Sequence, residues 1–265
     1  MIFLANKPIN ISSNAYASKL GRKLNLKLGY SGTLDPFASG ALLCADKKHA
    51  KLFRFLNLEP KVYEAVIWLG ASSPSLDNEN VSLFETKELC ENDIKNAFLK
   101  FRGSIKYTPP IFSAKKINGK RAYELARLGE KVELSECKMY VEPEFLHYVH
   151  PFIKFRLNTS KGAYVRSYAK MICDELGVIG TLSALKRLSE GDFKEYKEYD
   201  AFSMVNLEIN EYLGDLNDIL LGKKLDINNF SNKNYGIYKV DLGSCFSIIK
   251  LDEKIEYLLN KVEKC

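Results

Sequence analysis

The sequence is poor in the residues that metal and disulfide sites need. Its six cysteines stand at 44, 90, 137, 173, 245 and 265, with no C-x-x-C pair among them. A disulfide framework needs denser pairing in a shorter chain, so reduced, mostly buried thiols are expected. Of three histidines, His147 and His150 fall on opposite faces of an extended "HYVHP". Zinc wants three or four convergent ligands, and no metal site is expected. No apolar run approaches the roughly 20 residues of a membrane helix, since "ALLCA" and "AVIWLGA" are strand-sized. The opening "MIFLANKP" has no basic region ahead of its apolar run and does not read as a signal peptide. These absences lead to the expectation of a cytoplasmic chain without membrane contact. G-x-G-x-x-G, G-x-x-x-x-G-K-[ST] and internal repeats are also missing, which excludes the common nucleotide-cradling loops and repeat architectures.

What is present is globular. The chain has 265 residues, 46% hydrophobic and 27% charged, enough for one large core or a main domain with a small companion. The net charge of +6 is unevenly spread. Residues 1–60 carry nine Lys/Arg against three Asp/Glu and residues 101–200 carry eighteen against thirteen, whereas 61–100 and 201–265 are acidic. The two basic stretches suit a polyanion, although solvated surface lysine accounts equally well for basicity of this size.

"SSNAYASKLGRKLNLKLG" (12–29) opens on serines fit to cap a helix, spaces Ala17, Leu20, Leu24 and Leu28 along one face, and stops at Gly29. "DKKHAKLFRFL" (46–56) reads as a helix capped by Asp46, and "NDIKNAFLKF" (92–101) as one capped by Asn92. "KVYEAVIWLG" (61–70) and "PFIKFRLNTS" (151–160) alternate as strands. Residues 71–86 are polar loop, and an irregular basic stretch from 102 feeds a helix ending at Gly129. "AYVRSYAKMICDELG" (163–177) is an amphipathic helix closed by Gly177. Strands and helices without a regular βαβ period predict an α+β fold with a mixed, largely antiparallel sheet flanked by helices. Beyond Asp200, short strands predict a small C-terminal module. The division is drawn as a main domain at 1–210 and a module at 211–265.

One stretch fits none of these patterns. In "YSGTLDPFASGALL" (30–43) Pro36 biases Asp35 toward extended backbone and offers no amide proton, while Gly32 and Gly40 permit sharp turns. The carboxylate is therefore held on a stiff loop. A turn-forming aspartate that bonds nearby amides fits the same local pattern.

"GYSGTLDPFASGALL" closely resembles the G-H-T-G-T-L-D-P-L-A-T-G signature of the TruB family, the synthases that make pseudouridine 55 in the TΨC loop of tRNA. "NKPINISS" (6–13) is similar to that family's K-P-x-G-x-S-S opening. "IFSAKKINGKRAYELAR" (111–127) is similar to its Y-S-A-x-K-x-x-G-x-x-x-Y-x-x-A-R block. "SKGAYVRSYAKMICDELG" (160–177) is similar to its S-K-G-x-Y-I-R segment, and "LKRL" (185–188) to a later motif. These motifs, standing in the right order over residues 1–200, together carry a weight that no one of them would.

The resemblance implies a pseudouridine-synthase fold and an isomerase that needs neither cofactor nor metal. Its partner is the T-arm stem-loop of tRNA, met by a monomer. It implies a 1–210 catalytic domain, with 211–265 a reduced module of the PUA type that contributes little to RNA affinity. Asp35 falls on the catalytic nucleophile, and Arg166 on an arginine that pairs with it and keeps it charged. Tyr63 falls on a tyrosine that stacks on the target uracil, and Tyr164 and Leu185 on residues lining the base pocket. An extruded base needs such an aromatic face. Lys161 falls among the substrate contacts, with Lys115, Lys116, Lys120, Arg121, Lys186 and Arg187 expected to neutralise phosphates. By composition alone these tyrosines are ordinary core residues and Arg166 a phosphate-binding surface arginine.

Tyr30 stands where the family usually has histidine, so it can stack and hydrogen-bond but cannot gain charge near neutrality. The loop 72–78 keeps only Asp77 of an acid-richer family pattern, and Asp77 is expected to support the site from behind. Two other readings compete. One is a tRNA-binding RNA chaperone that refolds the elbow without turnover, using the basic surface but not Asp35. The other is phosphoryl transfer at Asp35, which lacks both a phosphate cradle and magnesium ligands.

Overall fold

The computed structural model describes all residues except 114, 118, 131 and 265. Two residues of the 111–127 block and the last cysteine therefore lie outside the described residues.

Strand β1 (Ile2–Lys7) leads into helix α1 (Ser13–Leu24), and then strands β2 (Leu28–Tyr30) and β3 (Ser39–Asp46). Strand β4 (Lys61–Leu69) precedes a pair of two-residue strands, β5 (Ala71–Ser72) with β6 (Ser82–Leu83). Helix α2 (Glu91–Lys100), strand β7 (Gly103–Tyr107), a hairpin of β8 (Lys116–Ile117) and β9 (Lys120–Arg121), and helix α3 (Ala122–Arg127) follow. Strands β10 (Cys137–Val149) and β11 (Phe152–Thr159), helix α4 (Val165–Glu175) and strands β12 (Gly180–Glu190) and β13 (Glu198–Tyr199) complete the main sheet. A separate sheet holds β14 (Gly236–Asp241), β15 (Cys245–Leu251) and β16 (Glu256–Glu263) in that order.

The nine-stranded sheet runs β13-β1-β3-β12-β4-β11-β10-β7, with β2 also on β3. Every pairing is antiparallel except β12 with β3, where Lys186 faces Ser39 and Arg187 faces Gly40. The mixed, largely antiparallel sheet expected from the sequence is thus observed. The alternation read over 61–70 holds: Tyr63, Ala65, Ile67 and Leu69 face the core, where Ile94 and Phe98 of α2 and Tyr168 and Ile172 of α4 cover them. Leu34, Phe37 and Ala38 belong to the same cluster, so the loop around Asp35 is rooted in the main core.

Three helix boundaries differ from expectation. α1 ends at Leu24 because Asn25 takes a left-handed conformation (φ 55°), with its N–H on the Arg22 and Gly21 carbonyls. Leu28 and Gly29, read as its last turn, instead pair with Asp46 and Ala45 on β3. The 46–56 segment is a tighter 3₁₀ helix at His49–Phe55, with Asp46 accepting from the Lys48 and His49 amides. α2 starts one residue before Asn92, behind Cys90, which makes no side-chain cap.

The C-terminal sheet shares a core with the main one. Phe246, Ile248, Leu259 and Val262 pack with Ile2, Leu4, Leu43 and Leu52. A further cluster, of Tyr212, Phe230, Tyr238 and Ile249 among others, also includes residues of the C-terminal sheet. No described helix is long and apolar enough to cross a membrane.

Candidate active site

Residues 31–36 run between β2 and β3 and are anchored nearly residue by residue. Ser31 Oγ donates to Glu190 Oε2 (2.6 Å). The Gly32 carbonyl accepts from Arg187 Nη2 (2.9 Å). The hydroxyl of Ser13, the first residue of α1, bonds both backbone groups of Leu34, accepting from its N–H (2.8 Å) and donating to its carbonyl (2.9 Å). Lys7 Nζ reaches the Pro36 carbonyl (3.4 Å) besides those of Pro8 (2.9 Å) and Ile11 (2.7 Å). The proline-restrained loop read from sequence is therefore also clamped by β1, α1 and β12.

Asp35 Oδ2 lies 2.9 Å from Arg166 Nε, on the first turn of α4. The arginine is 3% exposed, and its remaining nitrogens donate to the Ser75 carbonyl (2.7 Å) and the Phe112 carbonyl (2.9 Å). Asp77 Oδ2 stands 3.7 Å behind it, while Asp77 Oδ1 accepts from Ser75 Oγ and the Glu79 amide. Burial pushes the Asp35 carboxyl above the usual carboxylate range. Arg166 and Lys7 oppose that rise, and Asp77 adds to it. The expected ion pair is present, but desolvation outweighs it. Desolvation likewise brings the Lys7 amine down to about 8.

In front of Asp35 opens a cleft of about 570 Å³ whose walls include Tyr63, Tyr107, Tyr164, Leu185, Lys61 and Lys161. Its size suits a pyrimidine nucleotide, and its aromatic and aliphatic walls suit a base face. Tyr63, Tyr164, Leu185 and Lys161 are thus brought together with Asp35. Tyr30 is not on this wall. It borders a second cleft, of about 610 Å³, lined also by Asp35, Arg166, Ser75, Asp77, Phe112 and Tyr123. Tyr30 also packs near Leu42 and Cys44.

Arg187 departs from expectation. It is fully buried, donating to the Ala41 carbonyl through Nε (2.6 Å) and to Gly32, with Glu190 Oε2 at 3.5 Å. It holds the sheet and the loop instead of meeting phosphate. The alternation of β12 explains this: Leu185 and Arg187 point inward, and Lys186 between them is exposed. Lys116, Lys120, Arg121 and Lys161 are exposed as expected, and Lys115 is half-buried.

Sequence reasoning missed Lys7, Ser13, Tyr107 and Glu190. Lys7 and Ser13 lie in the "NKPINISS" motif, which was the available signal. Tyr107 donates to the Gly162 carbonyl (2.6 Å) and braces the turn before Tyr164. Nothing in the sequence near Glu190 pointed to its burial. Among the described residues no group of three or more His, Cys, Asp or Glu is placed to hold a metal.

In shape the chain matches a chain of a Cbf5-Nop10-Gar1 complex with a TM-score of 0.65 at 20% identity, covering 99% of this chain and 84% of that one. It also matches a chain of an H/ACA RNP bound to a substrate RNA containing 2'-deoxyuridine (TM-score 0.65, 18% identity, 99% and 84% coverage). The model of the TruB family pseudouridylate synthase N-terminal domain matches residues 19–165. The tRNA pseudouridine synthase B of Campylobacter concisus is 49% identical over 270 residues, covering 100% of this chain and 99% of that protein. That of a Sulfurovum strain is 44% identical over 269 residues, with 99% and 97% coverage. The chain belongs to the TruB family of pseudouridylate synthases.

Proposed function

We propose that this protein isomerises uridine to pseudouridine at position 55 of the tRNA TΨC loop, with Asp35 as the reacting carboxylate. The observation that carries the reading is the Asp35–Arg166 ion pair at 2.9 Å, with Asp35 lining an aromatic cleft. In the reaction the C1'–N1 bond breaks, the uracil turns, a C1'–C5 bond forms, C5 loses its proton and N1 gains one. No redox change or co-reactant is involved. Asp35 serves either by attack on the ribose or by taking a sugar proton, and both require its ionised form.

Arg166 aims the carboxylate and opposes its protonation. Tyr63 offers a face to the extruded base, with Tyr164 and Leu185 closing the pocket around it. Lys161 and the exposed cations of the 115–121 segment meet the phosphates of the arm, and Tyr30 contacts the substrate by stacking and through its hydroxyl. The protein acts as a cytoplasmic monomer, with residues 1–210 as its catalytic domain.

The test is tritium release from C5 of a labelled T-arm stem-loop. Wild type is expected to release label stoichiometrically with one uridine. Asp35→Asn is expected to fall by about 10³-fold or more while still binding the RNA. Label release by Asp35→Asn at the wild-type rate would refute the assignment.

A further inference from the structure

Beneath the catalytic loop lie three charged side chains that the reaction above does not use. Glu190 and Arg187 are both fully buried, and Lys61 is 13% exposed at its side chain. Glu190 Oε1 is 2.9 Å from Lys61 Nζ, and Glu190 Oε2 is 3.5 Å from Arg187 Nη2 while accepting from Ser31. Two cations share one carboxylate, so the cluster carries a formal charge of +1. An uncompensated buried charge is costly and persists only where something balances it.

Lys61 is the member that meets the cleft. It lines the front cavity beside Ser31–Asp35, and Glu190 is its sole charged partner among the described residues. An ammonium has three donors, so others remain for a ligand. Lys61 is also two residues before Tyr63 on β4, and alternate residues of a strand share a face about 7 Å apart. A base stacked on Tyr63 would therefore carry its ribose and phosphate along the strand toward Lys61. Gly32 lets this arrangement form, because a Cβ there would collide with Lys61 Nζ.

We propose that Lys61 is the subsite for one backbone phosphate of the extruded nucleotide, and that Glu190 is the positioning residue that fixes its ammonium. The exposed lysines of the cleft, such as Lys161, are solvated point charges that sense the arm as a whole. Lys61 instead reads a single phosphodiester, because its largely buried side chain is held by Glu190. The inference rests on the RNA-modifying reading above only for the identity of the ligand.

The test is equilibrium binding of T-arm stem-loops in which each phosphate near the target uridine is replaced singly by methylphosphonate. Wild type is expected to lose about 10-fold to 100-fold at one position. Lys61→Met is expected to bind the unmodified RNA that much more weakly and to lose nothing further at that position, with a salt slope smaller by about 0.7. Lys61→Arg is expected to restore part of the loss, and Glu190→Gln to raise KM more than it lowers kcat. Thermal melting identifies any variant that fails to fold, in which case Lys61→Arg carries the comparison. Equal losses in wild type and Lys61 variants at every position would overturn the proposal. Because binding is read without turnover, a wild type that binds but releases no tritium defeats the isomerase reading and leaves this test intact.

Discussion

At the scale of single residues, Asp35 combines reactivity with instability. Burial raises its pKa above the ordinary carboxylate value, so the folded state holds its proton more tightly than the unfolded chain does. Stability from this group is therefore greatest at low pH and is lost as pH rises through the interval between the two values. At neutral pH the ionised group costs stability, and a neutral isostere should relieve that cost. Asp35→Asn is expected to melt higher than wild type at pH 7, by about 2–4 °C for each kcal/mol relieved. The gain should shrink as pH falls toward the ordinary carboxylate range. Differential scanning calorimetry across pH 4–8 checks it. The same shift sets the acid limb of kcat/KM for tritium release above the ordinary carboxylate range, and substituting Arg166 by Lys should move the limb higher still. The motif made Asp35 and its partner arginine legible in the sequence. Its protonation balance was not, because that depends on how completely the surrounding loops exclude water. Lys7 and Arg187 were illegible for a related reason: a basic side chain reads as surface until the carbonyls that surround it are known.

At the scale of elements, the joint between β3 and β12 decides where the catalytic loop emerges. Gly40 sits at φ +102° opposite Arg187 in the one parallel pairing of the sheet, and a Cβ there would meet the Arg187 carbonyl. Gly40→Ala is expected to cost more than about 2 kcal/mol in urea unfolding, since both the left-handed backbone and the contact oppose it. Turnover should fall with it, because the same arginine holds Gly32. A stability change within a few tenths of a kcal/mol would contradict this account. Alternation and amphipathic spacing identified β4, β11 and α4 within a residue or two. They overran at α1, where only the left-handed Asn25 ends the helix and frees Leu28–Tyr30 to pair with β3. Helical spacing continued through Leu28, so local pattern and tertiary pairing were in competition and pairing prevailed.

For the whole molecule, the shared core of the two sheets matters most. Phe246, Ile248, Leu259 and Val262 cover Ile2, Leu43 and Leu52, so the C-terminal strands pack on β1 and β3, the strand that the Asp35 loop leads into. The full chain is expected to unfold in one calorimetric transition. A chain cut after residue 210 exposes several apolar side chains worth roughly 1.5–3 kcal/mol each and should melt about 10 °C lower or precipitate. Two resolved transitions in the full chain would show instead that the module folds by itself. The change in charge balance after residue 200 pointed to a C-terminal unit, but apolar residues do not announce which neighbour they cover.

Arg166 touches three stretches that are distant in the chain: the carboxylate at 35 and the carbonyls at 75 and 112. Randomising any one of those loops in a library therefore alters the seat on which the other two depend. Improved variants should arise as coordinated sets, and a loop transplanted alone from a relative should fail even where its own sequence is well tolerated.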